Sequence, residues 1–163
     1  MSNKRCEMTK CIKIIFGKTY DNQNMMFTIL EFFKNEVQTY RIASGDLSAY
    51  FYSNNEYTPL FEKEIFRFDE LLEKRMKFFV IQFATILAFP SNETIDIWEE
   101  NQLINSSCVY GITIVDVNEY YVFSRSEKII SRIEALCDSL SDIEYEVGDL
   151  TGLNILQEPI MKD

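Results

Sequence analysis

Residues 108–147 read CVYGITIVDVNEYYVFSRSEKIISRIEALCDSLSDIEYEV, and this stretch decides the fold. Its first ten residues, 108–117, are an apolar run rich in β-branched side chains, as a strand requires. Asp116, Val117, Asn118 and Glu119 make a turn, and residues 120–123 resume the extended pattern, so a hairpin is expected. Ser126 is a good helix N-cap, and behind it Ile129, Ile130, Ile133, Leu136, Cys137 and Leu140 recur at spacings of three and four. A helix over 126–140 with one apolar stripe follows. Residues 143–147 alternate at period two as a further strand, which Gly148 is expected to end.

Working outward, residues 78–90 read FFVIQFATILAFP, a strand that Pro90 stops. Its weak alternation suggests cover on both faces over 86–89. Residues 11–16 (CIKIIF) form a short strand with Lys13 as its polar interruption, and Asp21 or Asn22 can cap a helix to about residue 36, with Met26, Ile29, Leu30, Phe33 and Val37 as its inner face. Strands are expected at 37–43 and 47–52 around Ser44-Gly45-Asp46, followed by a polar loop over 53–59. Residues 68–77 (FDELLEKRMK) suit a helix, with Asp69 near its start and Lys74, Arg75 and Lys77 complementing the dipole at its end. Thr94 can cap a helix over 95–104 that turns Ile97, Trp98, Leu103 and Ile104 inward and Glu99 and Glu100 to water, and residues 150–156 form a short closing segment.

The expected order is β-α-β-β-α-β-α-β-β-α-β. Paired strands beside single helices give an α+β fold, a mostly antiparallel sheet covered by three to four helices. Phe83, Ile86, Leu87, Ile112, Ile114, Ile130 and Ile133 are its expected core. With 163 residues and 47% hydrophobic side chains, the chain suits one domain, with residues 1–10 as an N-terminal extension. No apolar run is long enough to span a bilayer, and no apolar stretch of signal-peptide length follows the basic residues of 1–11 before Asp21, so a cytoplasmic location is expected.

Charge and missing residue types narrow the function. There is no histidine, and the formal net charge is -10. Residues 1–41 carry seven basic and four acidic side chains, whereas residues 42–163 carry nine and 22. Such a chain repels nucleic-acid backbones and anionic lipid and favours basic partners. The N-terminal cluster Lys4, Arg5, Lys10, Lys13 and Lys18 lacks the aromatic interleaving of a nucleic-acid platform, so no direct nucleic-acid binding is expected.

Chemistry-bearing motifs are thin. Cys6 and Cys11 have the wrong spacing for a zinc knuckle, no histidine can complete a site, and no metal or cofactor is expected. Cys108 and Cys137 read as buried free thiols, while the redox state of Cys6 and Cys11 stays open. Gly17-Lys18-Thr19 lacks the upstream glycine of a phosphate loop. Asp116 and Glu119 are the best carboxylate pair, but a tight turn uses such residues for its own backbone hydrogen bonds.

From Phe78 onward the chain resembles DUF2691, a family of bacterial proteins of unknown function. The likeness lies in Ala88-Phe89-Pro90, in Ile104, Ser106 and Cys108 leading to the strand that ends at Val115-Asp116, and in Tyr121. It continues through the helix around 129–133, Ile143-Glu144-Tyr145, and Asp149 with Thr151. It covers about half the chain and implies no catalytic or binding residue.

Three functional readings remain. The first is a cytoplasmic protein–protein interaction module, in its sharper form an inhibitor or immunity-type protein that neutralises a basic partner. Glu99, Glu100, Asp142, Glu144, Glu146 and Asp149 would present its negative face. The alternative is a small-ligand-binding protein or a histidine-free enzyme using Asp, Tyr or Cys, with Cys108, Asp116 and Tyr121 lining the pocket. A protein without any separable site is a third.

Overall fold

The computed structural model describes residues 10–16, 22–43, 47–76, 78–97, 100–116 and 118–149. The chain runs β1 (Lys10–Phe16), α1 (Asn22–Phe32), β2 (Thr39–Ile42), β3 (Ser48–Ser53), β4 (Glu56–Pro59), β5 (Ile65–Phe66) and α2 (Phe68–Leu72). It continues through β6 (Phe79–Phe89), α3 (Glu100–Ile104), β7 (Tyr110–Val115), β8 (Glu119–Ser124), α4 (Glu127–Asp138) and β9 (Ile143–Asp149). All nine strands join one sheet, and every pairing among the described residues is antiparallel. The architecture is therefore α+β, as the segment pattern suggests.

The long strand β6 organises one half. Its first residues pair with β3 and its last with β2, while its other edge pairs with β7. The path across the sheet is β4-β3-β6-β7-β8-β1-β9, with β2 and β5 beside the far end of β6. Because β1 is antiparallel to both β8 and β9, those two run parallel to each other. Their connection must cross over β1, and α4 makes that crossing.

Alternation sorts the side chains. Ile12, Ile14, Ile86, Ala88, Ile112, Ile114, Tyr120 and Val122 join the helix-side core with Met25, Ile29 and Phe33 of the α1 segment and Ile129, Ile130 and Ile133 of α4. Ser126 caps α4, its hydroxyl accepting from the Ile129 amide at 3.3 Å. Arg132 ties the two helical segments together: its guanidinium lies 4.7 Å from the Phe33 ring centre and pairs with Glu36.

On the opposite face, Cys11, Leu87, Phe89 and Phe123 pack with Ile97, Leu103 and Cys108 in a second, smaller cluster. The segment leading to α3 is pinned there. Thr39 donates to Asn92 at 3.1 Å, and Arg41 donates to Thr94 at 3.1 Å and pairs with Asp96 at 3.7 Å. Gly111 is needed because the Phe123 ring lies against its backbone: a Cβ there would sit 2.3 Å from the ring. Gly111→Ala is expected to cost about 1–3 kcal/mol in a urea titration through overpacking.

Several expectations change. Residues 53–59 are not a loop: Asn54 and Asn55, with φ of 52° and 64°, make a tight turn that pairs β4 with β3. β5 is likewise new. Gly148 does not end β9, since it pairs with Cys11 and the strand reaches Asp149. Thr94 accepts from Arg41 rather than capping a helix, residues 95–97 are not helical, and α3 covers Glu100–Ile104. The helix expected over 68–77 gives way to a 3-10 turn at Glu73–Met76, where Lys74 is buried and its ammonium pairs with the exposed Glu62 at 2.8 Å. Phe83 is half-buried on the face away from α1 and α4, whereas the other six expected core residues are buried. Pro90 does follow the last residue of β6, and residues 86–89 are buried on both faces. Lys10 belongs to β1, and the remainder of the expected extension lies outside the described residues, as do Cys6, Gly17-Lys18-Thr19, Asp21, Ser44-Gly45-Asp46, Trp98 and 150–156.

Candidate functional site: the acidic edge strand

β9 closes the sheet on one side and pairs with β1 alone among the described strands. The register sets Glu144 opposite Ile15 and Glu146 opposite Lys13. Residues directly opposite share a face, so both glutamates lie on the face away from α4. Both are exposed, and neither has an ion pair among the described residues. Asp142 stands in the turn just before them, with a φ of 59°.

Their neighbours leave the surface negative. Lys13 is already paired with Glu119 at 3.3 Å, and Tyr121 donates to the same carboxylate at 2.7 Å. The Tyr121 phenol is held well above its ordinary range, first by burial and then by that bond to Glu119. On this corner of the face, three carboxylates (Glu119, Glu144 and Glu146) surround one lysine among the described residues.

The opposite side of β9 differs. Tyr145 and Val147 face the same way as Ile14 and Ile12, with Val147 42% exposed. Tyr145 donates to Asp138 at 2.7 Å, which raises its phenol to about 12. Asp149 also belongs to this side and pairs with Lys10 at 3.6 Å. It therefore does not join Glu144 and Glu146. Glu100 opens α3, and its side chain, like all of Glu99, lies outside the described residues.

Two hollows adjoin β9. One of about 310 Å³ is lined by Ile15, Phe16, Asp142, Ile143 and Glu144, and a smaller one of about 90 Å³ by Lys13, Ile15, Glu144, Tyr145 and Glu146. A third, of about 400 Å³, lies across the sheet between Tyr50, Tyr57, Val80 and Gln82. Sequence reading missed Ile15 and Glu119 as neighbours of β9. Lys13, the one charge inside a β-branched run, was the available signal.

The other expected trio does not converge: Tyr121 packs against the small cluster that holds Cys108, but exposed Asp116 does not join them. Cys108 precedes β7 and Asp116 follows it, a separation of roughly 25 Å along an extended chain, while Tyr121 pairs with Thr113 in between. Asp116 is exposed at a turn with a φ of 51°. Cys108 donates its thiol to the Tyr110 carbonyl at 3.2 Å, and burial pushes it to about 12, as it does Cys11. Such thiols stay protonated near neutral pH and make poor nucleophiles. Cys11, Cys108 and Cys137 are buried and unbridged.

Among the described residues no three Cys, Asp or Glu side chains converge as metal ligands, and no helix is long and apolar enough to cross a membrane. No family model, curated protein or solved structure matches the chain.

Proposed function

We propose that this protein is a cytoplasmic interaction module that binds a basic protein partner through β9, as an inhibitor or immunity-type protein would. One observation carries the reading: Glu144 and Glu146 stand exposed, side by side on one face of an edge strand, with no ion pair among the described residues. Unneutralised charge at a sheet edge steers a cationic surface into contact and rejects anionic ones. Membership of the DUF2691 family belongs to the same proposal and adds no residue role. The alternative, a ligand-binding or histidine-free catalytic site at Cys108, Asp116 and Tyr121, has less support because these residues are spread along β7 and β8.

Tetralysine titrated into isotope-labelled protein at low salt tests the reading. Amide shifts should concentrate on 142–147 and Ile15. Glu144→Lys with Glu146→Lys should weaken binding about tenfold, the scale expected when two exposed attractions between opposite charges become repulsions. Shifts scattered evenly over the surface, or an unchanged affinity in the double variant, would contradict it.

A further inference from the structure

We propose that the basic partner is held by strand addition: an extended segment alternating basic and apolar residues pairs with the outer edge of β9. This rests on the basic-partner reading and adds how the contact is made. β9 runs for seven residues, and its pairing with β1 uses only the backbone groups on one side. The outward N–H and C=O groups of an edge strand are a template for another chain.

The two faces of β9 specify the complement. Glu144 and Glu146 ask for Lys or Arg at positions two apart on the incoming strand, because cross-strand neighbours sit about 5 Å apart. Tyr145 and Val147 on the other face ask for β-branched residues between them. The hollow lined by Ile15, Phe16 and Ile143 together with Asp142 and Glu144 suits a lysine or arginine, its aliphatic stem on the apolar residues and its cation beside the carboxylates.

A second copy of this chain fits poorly. Antiparallel pairing of two β9 strands about Tyr145 would set Glu144 against Glu146, and like charges directly opposite are destabilising. At the other end of the sheet, β4 has four residues and includes Pro59, which has no amide to donate.

The test uses an acetylated, amidated Lys-Val-Lys-Val-Lys-Val-Lys peptide and two backbone-methylated forms, one N-methylated at the valines and one at the lysines. All three carry the same charge, but in a strand only one set of amides points at β9. Followed by NMR, one methylated form should lose about tenfold or more in affinity, the scale of two or three backbone hydrogen bonds, while the other keeps it within about threefold. Equal affinities, or equal losses, would overturn strand addition. Equal affinities that still fall in Glu144→Lys/Glu146→Lys would leave the basic-partner reading standing. If the unmethylated peptide binds wild type no better than that double variant, both readings fail. Slow exchange of the outward β9 amides in the free monomer would also overturn strand addition, since the edge would already be covered.

Discussion

Replacing Ile133 with alanine is expected to lower the unfolding free energy by about 2–5 kcal/mol. Ile133 sits mid-way along α4, has no solvent exposure, and belongs to the core that joins α4 to the sheet. The change removes three carbon atoms from a site walled by a helix and a sheet that cannot easily collapse together. It therefore loses transfer energy and leaves a cavity. The site also carries topological weight, since α4 is the crossing that lets β1 lie between β8 and β9. Urea titrations of the two proteins, compared at equal slope, read the difference. A loss under about 1 kcal/mol would mean that α4 does not present this face to the sheet, because it falls well short of the range for a buried Ile→Ala change.

Stability should fall steeply on the alkaline side. Burial raises the thiols of Cys11 and Cys108 from 9.0 to about 12. Below pH 9 both states keep the thiols protonated, and this source adds no pH dependence. Above it the unfolded chain gives up protons that the folded protein retains, so the unfolded state binds fewer protons and stability declines with rising pH. At 1.36 kcal/mol per thiol for each pH unit, the two together remove about 4 kcal/mol between about pH 8 and pH 10.5. Denaturant titrations at both pH values check the size, and Cys11→Ala/Cys108→Ala should flatten the decline by about that amount. A wild-type curve no steeper than the double variant's would show that these thiols titrate in the folded protein as they do in the unfolded one.

Much of the architecture is written locally. Ser126 and the isoleucines behind it define α4 because a cap and an apolar stripe are both short-range signals. β6 and Pro90 are legible for the same reason. β4 was hidden because Glu56, Thr58 and Pro59 look like loop, although Asn54-Asn55 is a favourable pair for a two-residue turn with positive φ. Parity along a strand says which residues share a face but not which face meets the helices. Hence Phe83 and Leu87 lie away from α1 and α4 while Ile86 lies beneath them.

The candidate surface was half legible. Glu144 and Glu146 share a face by simple alternation, and the same alternation, once β9 extends through Gly148, sends Asp149 to the other side. The neighbours Ile15 and Glu119 were out of reach. They arrive through the pairing of the chain's first described strand with two of its last, a contact that no local pattern encodes. The ligand trio dispersed for a reason visible in the sequence, since Cys108 and Asp116 flank one extended strand.

The central claim is that the carboxylates of β9 bind a basic partner, and the association rate of a partner captured from the native cell tests it most directly. Stopped-flow rates at low and high salt should show fast, strongly salt-dependent binding to wild type. In Glu144→Lys/Glu146→Lys, with the fold intact, binding should be slower and its salt slope flatter. An unchanged rate with an unchanged salt slope in that variant would contradict the account.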